Sequence, residues 1–162
     1  MSDFSVFIVD DDETYVKLLK ARLNKSGLKN VDTYLSGEDC LANIKKSPDM
    51  ILLDYHMDGM DGIETLKNIK AKNANIHVVF LSANDSAEIA DAALLHGAYD
   101  YIVKNDAAYG RAKLLIKRVA RLNKSLKEEK AAKKLKIVIV IMLVVFFIVT
   151  CVLSYIYPEM FH

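Results

Sequence analysis

Acidic residues follow two apolar runs of this sequence. Asp10, Asp11 and Asp12 come directly after FSVFIV, and Asp54 comes directly after MILL. Carboxylates gathered in one place repel one another unless a cation joins them, and Mg²⁺ prefers such oxygen ligands. A carboxylate beside bound Mg²⁺ is also a competent nucleophile toward a phosphoryl group. The pattern therefore predicts a magnesium and phosphoryl-transfer site with Asp54 as the candidate acceptor, whereas Asp12 better suits the N-cap of a following helix.

A hydroxyl and an ammonium group end two later apolar runs. Ser82 follows HVVFL, and Lys104 follows YDYIV. In an open parallel sheet, ligands bind beyond the carboxyl ends of the strands, so residues that end strands are expected to share one site. A lysine and a hydroxyl there can neutralise and hydrogen-bond phosphoryl oxygens.

Short apolar runs alternate with amphipathic ones along the first part of the chain, which predicts five strand-then-helix units. Because the strands are apolar throughout, they are expected in a parallel sheet with helices on both faces. The fold class is therefore α/β, with a doubly wound five-stranded parallel sheet. Predicted strands span residues 4–9, 31–35, 50–53, 77–81 and 99–103; predicted helices span 13–25, 37–46, 62–71 and 86–96, with a last helix from about 106.

An uncharged stretch without proline occupies residues 137–157, which read IVIVIMLVVFFIVTCVLSYIY. As a helix these 21 residues would span about 30 Å, the thickness of the hydrocarbon core of a bilayer. Residues 111–136 carry 11 Lys or Arg and only two Glu. By the positive-inside rule, the folded part lies in the cytoplasm, and residues 158–162 form a short tail on the other side. We expect a single-pass protein of the cell membrane whose lysines also contact membrane lipid.

The first 110 residues hold 18 acidic and 11 basic residues, which argues against nucleic acid as a partner. Cys40 is expected in the cytoplasmic domain and Cys151 inside the membrane span, so the two are expected to be unpaired. Leu115, Val119, Leu122 and Leu126 have helical spacing. The first two are expected to pack on the sheet, and a homodimer through the others stays open.

Four segments resemble the response-regulator receiver domain in order and spacing: FIVDDDE, ILLDYHMDGMDG, VVFLSAND and YDYIVKN. The resemblance covers about residues 3–122 and implies the flavodoxin-like receiver fold. Together with the apolar and basic stretches, it divides the chain into a receiver domain at 1–122, a basic juxtamembrane helix at 123–136, the transmembrane helix at 137–157 and the tail at 158–162.

The resemblance also implies roles for the site residues. Asp54 is expected to accept a phosphoryl group from a sensor histidine kinase or a phosphotransfer protein. Asp10, Asp11 and Asp54 are expected to hold Mg²⁺, together with the backbone carbonyl of His56.

Three further residues take roles from the same resemblance. Lys104 and Ser82 are expected to contact phosphoryl oxygens, and Tyr101 is expected to turn inward after phosphorylation. Two departures stand out, because Asn105 and Asp58 occupy positions where the family usually has proline. The Lys104–Asn105 peptide is therefore expected to be trans.

The predicted function is a membrane-anchored single-domain response regulator that signals to a downstream protein partner by phosphorylation-dependent interaction and is not an enzyme. One alternative is a degenerate receiver that acts as a constitutive membrane scaffold. The other is a haloacid-dehalogenase-like phosphatase, suggested by the D-x-D-x-T run of Asp10, Asp12 and Thr14.

Overall fold

The computed structural model describes residues 4–156, with side chains as far as Cys151. The chain divides into two compact units between Ala120 and Arg121. Strands and helices alternate through the first unit, which confirms the predicted α/β class. The strands are β1 (Ser5–Val9), β2 (Asn30–Tyr34), β3 (Met50–Asp54), β4 (His77–Ser82) and β5 (Asp100–Val103); the helices are α1 (Glu13–Lys25), α2 (Gly37–Ala42), α3 (Gly62–Lys72), α4 (Ala87–Leu95) and α5 (Ala108–Ile156).

All neighbouring strands are parallel, and their order across the sheet is β2-β1-β3-β4-β5. Successive side chains of a strand point to opposite faces, so each inner strand contributes to two separate cores. On β1, Ile8 lies in one core cluster and Val9 in the other; on β3, Leu52 and Leu53 divide in the same way. Burial on both faces explains why these strands are apolar throughout.

Capping residues set where the helices start and end. Asp12 accepts hydrogen bonds from the N–H groups of Thr14 and Tyr15, as predicted for the N-cap of α1. Gly27 and Gly97 follow α1 and α4 with φ of 94° and 91°, a backbone conformation that favours glycine.

The prediction of a single helix over residues 37–46 is wrong. Helix α2 ends at Ala42, and a separate 3₁₀ turn covers Ile44–Lys46. At the junction, the Asn43 N–H donates to the carbonyls of both Asp39 and Cys40, and the Lys46 N–H donates to the Asn43 carbonyl, so the α-helical bonding pattern changes to the tighter 3₁₀ pattern. Ser47 then adopts a left-handed conformation with φ of 49°.

Helix α5 begins in the first unit and continues through the second. Leu115 and Val119 are buried in the core, as predicted, whereas Leu122 and Leu126 are about half exposed. Within the described residues, α5 is the one helix long and apolar enough to cross a membrane. Its apolar side chains from Ile137 to Val149 are all exposed.

Candidate functional site

Three strand ends bring two carboxylates and an ammonium group together. Val9 pairs with Leu53 across β1 and β3, so Asp10 and Asp54 leave the sheet side by side. Lys104 follows β5 and reaches across the edge of the sheet to both of them. Its Nζ lies 2.7 Å from Oδ2 of Asp10 and 2.9 Å from Oδ1 of Asp54. The predicted convergence of these strand-end residues is therefore present.

Burial sets the electrostatics of this cluster. Asp10 is 1% exposed and Asp54 is 5% exposed. Burial raises the pKa of both carboxyls above the ordinary value, and the contacts with Lys104 oppose this shift without cancelling it. Burial alone would lower the pKa of Lys104, but the two carboxylates outweigh burial and raise it. The two acids and their shared lysine therefore form a coupled ionic group.

The carboxylates also fit a divalent metal. One oxygen each of Asp10, Asp11 and Asp54 lies within 4.8 Å of the other two. Asp10 Oδ2 is fully buried and has Lys104 Nζ as its charged neighbour at 2.7 Å. Three carboxylates this close together suit Mg²⁺, which takes oxygen ligands and retains water.

The loop between β3 and α3 is tied to the site by two acidic side chains. The N–H of Asp58 donates to Oδ2 of Asp11 at 3.3 Å, and the N–H of Met60 donates to Oε1 of Glu38 at 3.0 Å. A proline at position 58 has no N–H and could not make the first bond. The departure at Asp58 therefore supplies a hydrogen bond to a candidate metal ligand.

The loop after β5 explains how Lys104 is aimed without proline. No cis peptide occurs among the described residues, so the Lys104–Asn105 bond is trans as expected. Asn105 Oδ1 accepts from the N–H of Ala107 at 3.0 Å, and its carbonyl accepts from the N–H of Ala108 at 2.9 Å. Lys104 itself donates its N–H to the carbonyl of Ser82 at 2.7 Å. Asn105 thus closes a turn that starts α5 and fixes the backbone behind the lysine.

A short chain of hydrogen bonds leads from Ser82 to Tyr101. The buried Ser82 Oγ accepts from the N–H of Asn84 at 3.2 Å. The carbonyl of Asn84 accepts from the Tyr101 hydroxyl at 2.6 Å. Tyr101 is 7% exposed and belongs to the core cluster that contains Phe80. The Tyr101 side chain therefore faces inward, and Asn84 is the residue that links its hydroxyl to the Ser82 hydroxyl.

Two other predicted site residues, Asp11 and His56, are less buried than Asp10 and Asp54. Asp11 and His56 are exposed, and the His56 ring contacts the Tyr55 ring at a centroid distance of 4.7 Å. Sequence reasoning missed Glu38, which holds the β3–α3 loop, and Tyr15, whose ring lies beside Lys104. An acid or an aromatic on an amphipathic helix carries no sequence signal for such a role.

These features define a doubly wound α/β protein with a phosphoryl-transfer type of site at the carboxyl edge of its sheet. The family model of the response regulator receiver domain matches residues 6–114, and the chain belongs to this family. The match gives no support to the phosphatase alternative, in which Asp10 and not Asp54 would be the nucleophile.

Relatives in sequence include regulators of transcription. The transcriptional regulatory protein ZraR of Salmonella typhimurium is 42% identical over 100 residues, which cover 61% of this chain and 22% of that protein. The DNA-binding transcriptional regulator NtrC of Klebsiella pneumoniae is 37% identical over 99 residues, which cover 60% of this chain and 21% of that protein. The chain thus spans about a fifth of the length of these curated relatives.

Solved structures match the fold over most of the first unit. A chain of the CheX–CheY–BeF3–Mg²⁺ complex from Borrelia burgdorferi has a TM-score of 0.65 and 32% identity, covering 75% of this chain and 90% of that one. The receiver domain of the Francisella response regulator 1452 has a TM-score of 0.64 and 31% identity, covering 72% and 98%.

Proposed function

We propose that this protein is a membrane-anchored response regulator that accepts a phosphoryl group on Asp54 and signals through phosphorylation-dependent protein interaction. The observation that carries the proposal is the position of Asp54. It is buried at the carboxyl end of the central strand β3, and its Oδ1 lies 2.9 Å from Lys104 Nζ. The donor is a phosphohistidine of a sensor kinase or phosphotransfer protein. The partner downstream is another protein that reads the changed surface.

The site residues divide the work of the transfer. An oxygen of Asp54 attacks phosphorus, a P–O bond forms, and the P–N bond of the phosphohistidine breaks as the imidazole leaves. The Lys104 ammonium neutralises one phosphoryl oxygen, and the Ser82 hydroxyl donates to another. Bound Mg²⁺, held by Asp10, Asp11, Asp54 and the backbone carbonyl of His56, would supply further charge neutralisation.

The hydrogen-bond chain from Ser82 to Tyr101 supports a route out of the site. A new bond from the Ser82 hydroxyl to a phosphoryl oxygen pulls on the loop that holds Asn84, because Asn84 donates to that same hydroxyl oxygen. The Asn84 carbonyl in turn holds the Tyr101 hydroxyl. A shift at Ser82 therefore reaches an aromatic side chain of β5 through a single intervening residue.

The second unit supports anchoring in a bilayer. Its apolar helix is long enough to cross, and the exposed lysines that precede it recur at intervals of about three residues. Each such step moves about 60° around a helix, so the charges surround the axis instead of forming one stripe. This distribution suits a helix that stands upright through a ring of anionic headgroups on the cytoplasmic side. The basic residues are Arg121, Lys124, Lys127, Lys130, Lys133, Lys134 and Lys136.

Phosphorylation by a small donor tests the assignment of Asp54. The full chain in mild detergent is incubated with Mg²⁺ and acetyl phosphate, and its intact mass is measured. We expect one added phosphoryl group in the wild type and in the exposed-site control Asp91→Asn, and none in Asp54→Asn. A label that persists in Asp54→Asn but disappears in Asp10→Asn would place the nucleophile at Asp10 instead.

A further inference from the structure

We infer that Tyr15 is a positioning residue that holds Lys104 over the site; the role rests on the function proposed above. The centre of the Tyr15 ring lies 4.7 Å from Lys104 Nζ, inside the range of about 6 Å for a cation–π contact. The Lys104 side chain is 18% exposed, so little water screens this contact. The ammonium group is thus bounded by Asp10, Asp54 and an aromatic ring.

The Tyr15 ring is fixed independently of Lys104. Asp12 Oδ1 accepts from the N–H of Tyr15 at 3.0 Å, and the N–H of Asp12 donates to Oδ1 of Asp10 at 3.0 Å. The ring is half-buried and packs against the core cluster to which α1 and α5 contribute. One short segment therefore sets the positions of both the Asp10 carboxylate and the ring.

The need for such a contact follows from the other partners of Lys104. Asp10 and Asp54 are also candidate metal ligands, so the lysine shares both of its anionic partners with Mg²⁺. A neutral ring attracts an ammonium through its quadrupole and does not offer the oxygen ligands that Mg²⁺ prefers. Of the described contacts of the Lys104 ammonium group, the one with the Tyr15 ring is therefore the contact that does not compete with the metal.

During phosphoryl transfer, Tyr15 neither gains nor loses a proton and forms no covalent bond. Lys104 stays protonated while its contacts change from carboxylate oxygens to phosphoryl oxygens, and the ring keeps the ammonium within reach of the new oxygens. The ring face supplies this effect, and the hydroxyl does not contribute to it.

Three substitutions separate the ring from the hydroxyl. Tyr15→Phe keeps the aromatic face, whereas Tyr15→Leu and the more flexible Tyr15→Met remove it. The full chain in mild detergent is titrated with beryllofluoride, a phosphoryl mimic, at saturating Mg²⁺. We expect the affinity to fall by roughly threefold to tenfold in the two ringless variants and to stay within about twofold in Tyr15→Phe. Affinity for Mg²⁺ alone should change little in all three.

A second measurement reports the contact itself. With [¹³Cε]-lysine labelling, the Lys104 signal, assigned from Lys104→Arg, should carry an upfield ring-current shift in the wild type and in Tyr15→Phe. The shift should be lost in Tyr15→Leu and Tyr15→Met, whose amide spectra check that they are folded. A merely structural role for Tyr15 would not link this lysine signal to beryllofluoride affinity.

Two results would overturn the inference: wild-type beryllofluoride affinity in both ringless variants, or an equal loss in Tyr15→Phe. Failure of the proposed function has a different signature, since the wild type itself would then bind no beryllofluoride. That result would remove the role of Tyr15 as well, while the lysine signal would still report whether the contact exists.

Discussion

Lys104 Nζ lies 2.9 Å from Oδ1 of Asp54, although the peptide bond after Lys104 is trans. The turn closed by Asn105 holds the backbone in the place where the family usually relies on proline. The lysine thus reaches the candidate acceptor by a different local structure. Asn105 therefore changes the loop that supports Lys104, while the lysine stays in contact with Asp10 and Asp54.

The turn at Asn105 is open to a direct test. Asn105→Ala loses the oxygen that accepts from Ala107, and we expect the free energy of unfolding to fall by about 0.5–1.5 kcal/mol, the usual contribution of one hydrogen bond. Asn105→Asp keeps an acceptor oxygen and should stay close to the wild type. Urea unfolding of the full chain in detergent, followed by tyrosine absorbance, measures both. Equal stability of Asn105→Ala and the wild type would show that the turn does not depend on this side chain.

The bond between Asp58 and Asp11 predicts an effect on metal binding. Asp58→Pro and Asp58→Ala both remove a negative charge, but only the proline also removes the N–H that donates to Asp11. We expect Mg²⁺ to bind the proline variant about twofold to tenfold more weakly than the alanine variant, the effect of losing one modest hydrogen bond. Calorimetric titration with Mg²⁺ measures the ratio. Tighter binding by Asp58→Pro would mean that this bond restrains Asp11 away from the metal.

The buried acids predict a pH dependence of stability. Burial raises the pKa of Asp54 in the folded protein above 3.8, so its contribution to stability is present below that pH and is lost as pH rises through the raised pKa. Without metal, the stability of the wild type relative to Asp54→Asn should therefore fall as pH rises from about 4 to neutral. Urea unfolding in a chelator at several pH values gives the difference. A difference that grows with pH would show that the lysine contact, and not burial, dominates.

The proposed anchor predicts that the protein resists extraction from membranes. On the proposed function, the full chain should stay with membranes through high salt and alkaline washing, because the apolar part of α5 would lie in the hydrocarbon core. Val144→Arg combined with Phe147→Arg puts two charges into that segment, each costing about 2.5–3.5 kcal/mol at the centre of a span. We expect this variant in the soluble fraction and Val144→Ala in the membrane fraction. Release of the wild type by salt alone would indicate attachment by the lysines only.

The sequence predicted the features that depend on local pattern. The MILL run before Asp54 identified a strand buried on both faces, and the end of that strand located the candidate acceptor. Asp12 was identified as a cap because a short acidic side chain before a helix has one common use. Convergence of Asp10, Asp54 and Lys104 followed from strand ends meeting at one edge of the sheet.

Features that depend on contacts between distant elements were not predictable. Glu38 lies on α2 and bonds to the β3–α3 loop, and only the packed fold brings these segments together. Tyr15 reads as an ordinary aromatic of an amphipathic helix until Lys104 is placed over it. The break after Ala42 was missed because residues 37–46 contain no proline, and a change from an α-helix to a 3₁₀ turn has no strong sequence signal.

Beryllofluoride binding followed by amide NMR tests the central claim most directly. The full chain in mild detergent receives Mg²⁺ and then beryllofluoride, in the wild type and in Asp54→Asn. We predict shifts at Ser82, Asn84, Tyr101 and Lys104 in the wild type, and none of them in Asp54→Asn. A wild-type spectrum that does not respond would contradict a phosphorylation switch at Asp54 and would favour a receiver fold used as a constitutive scaffold.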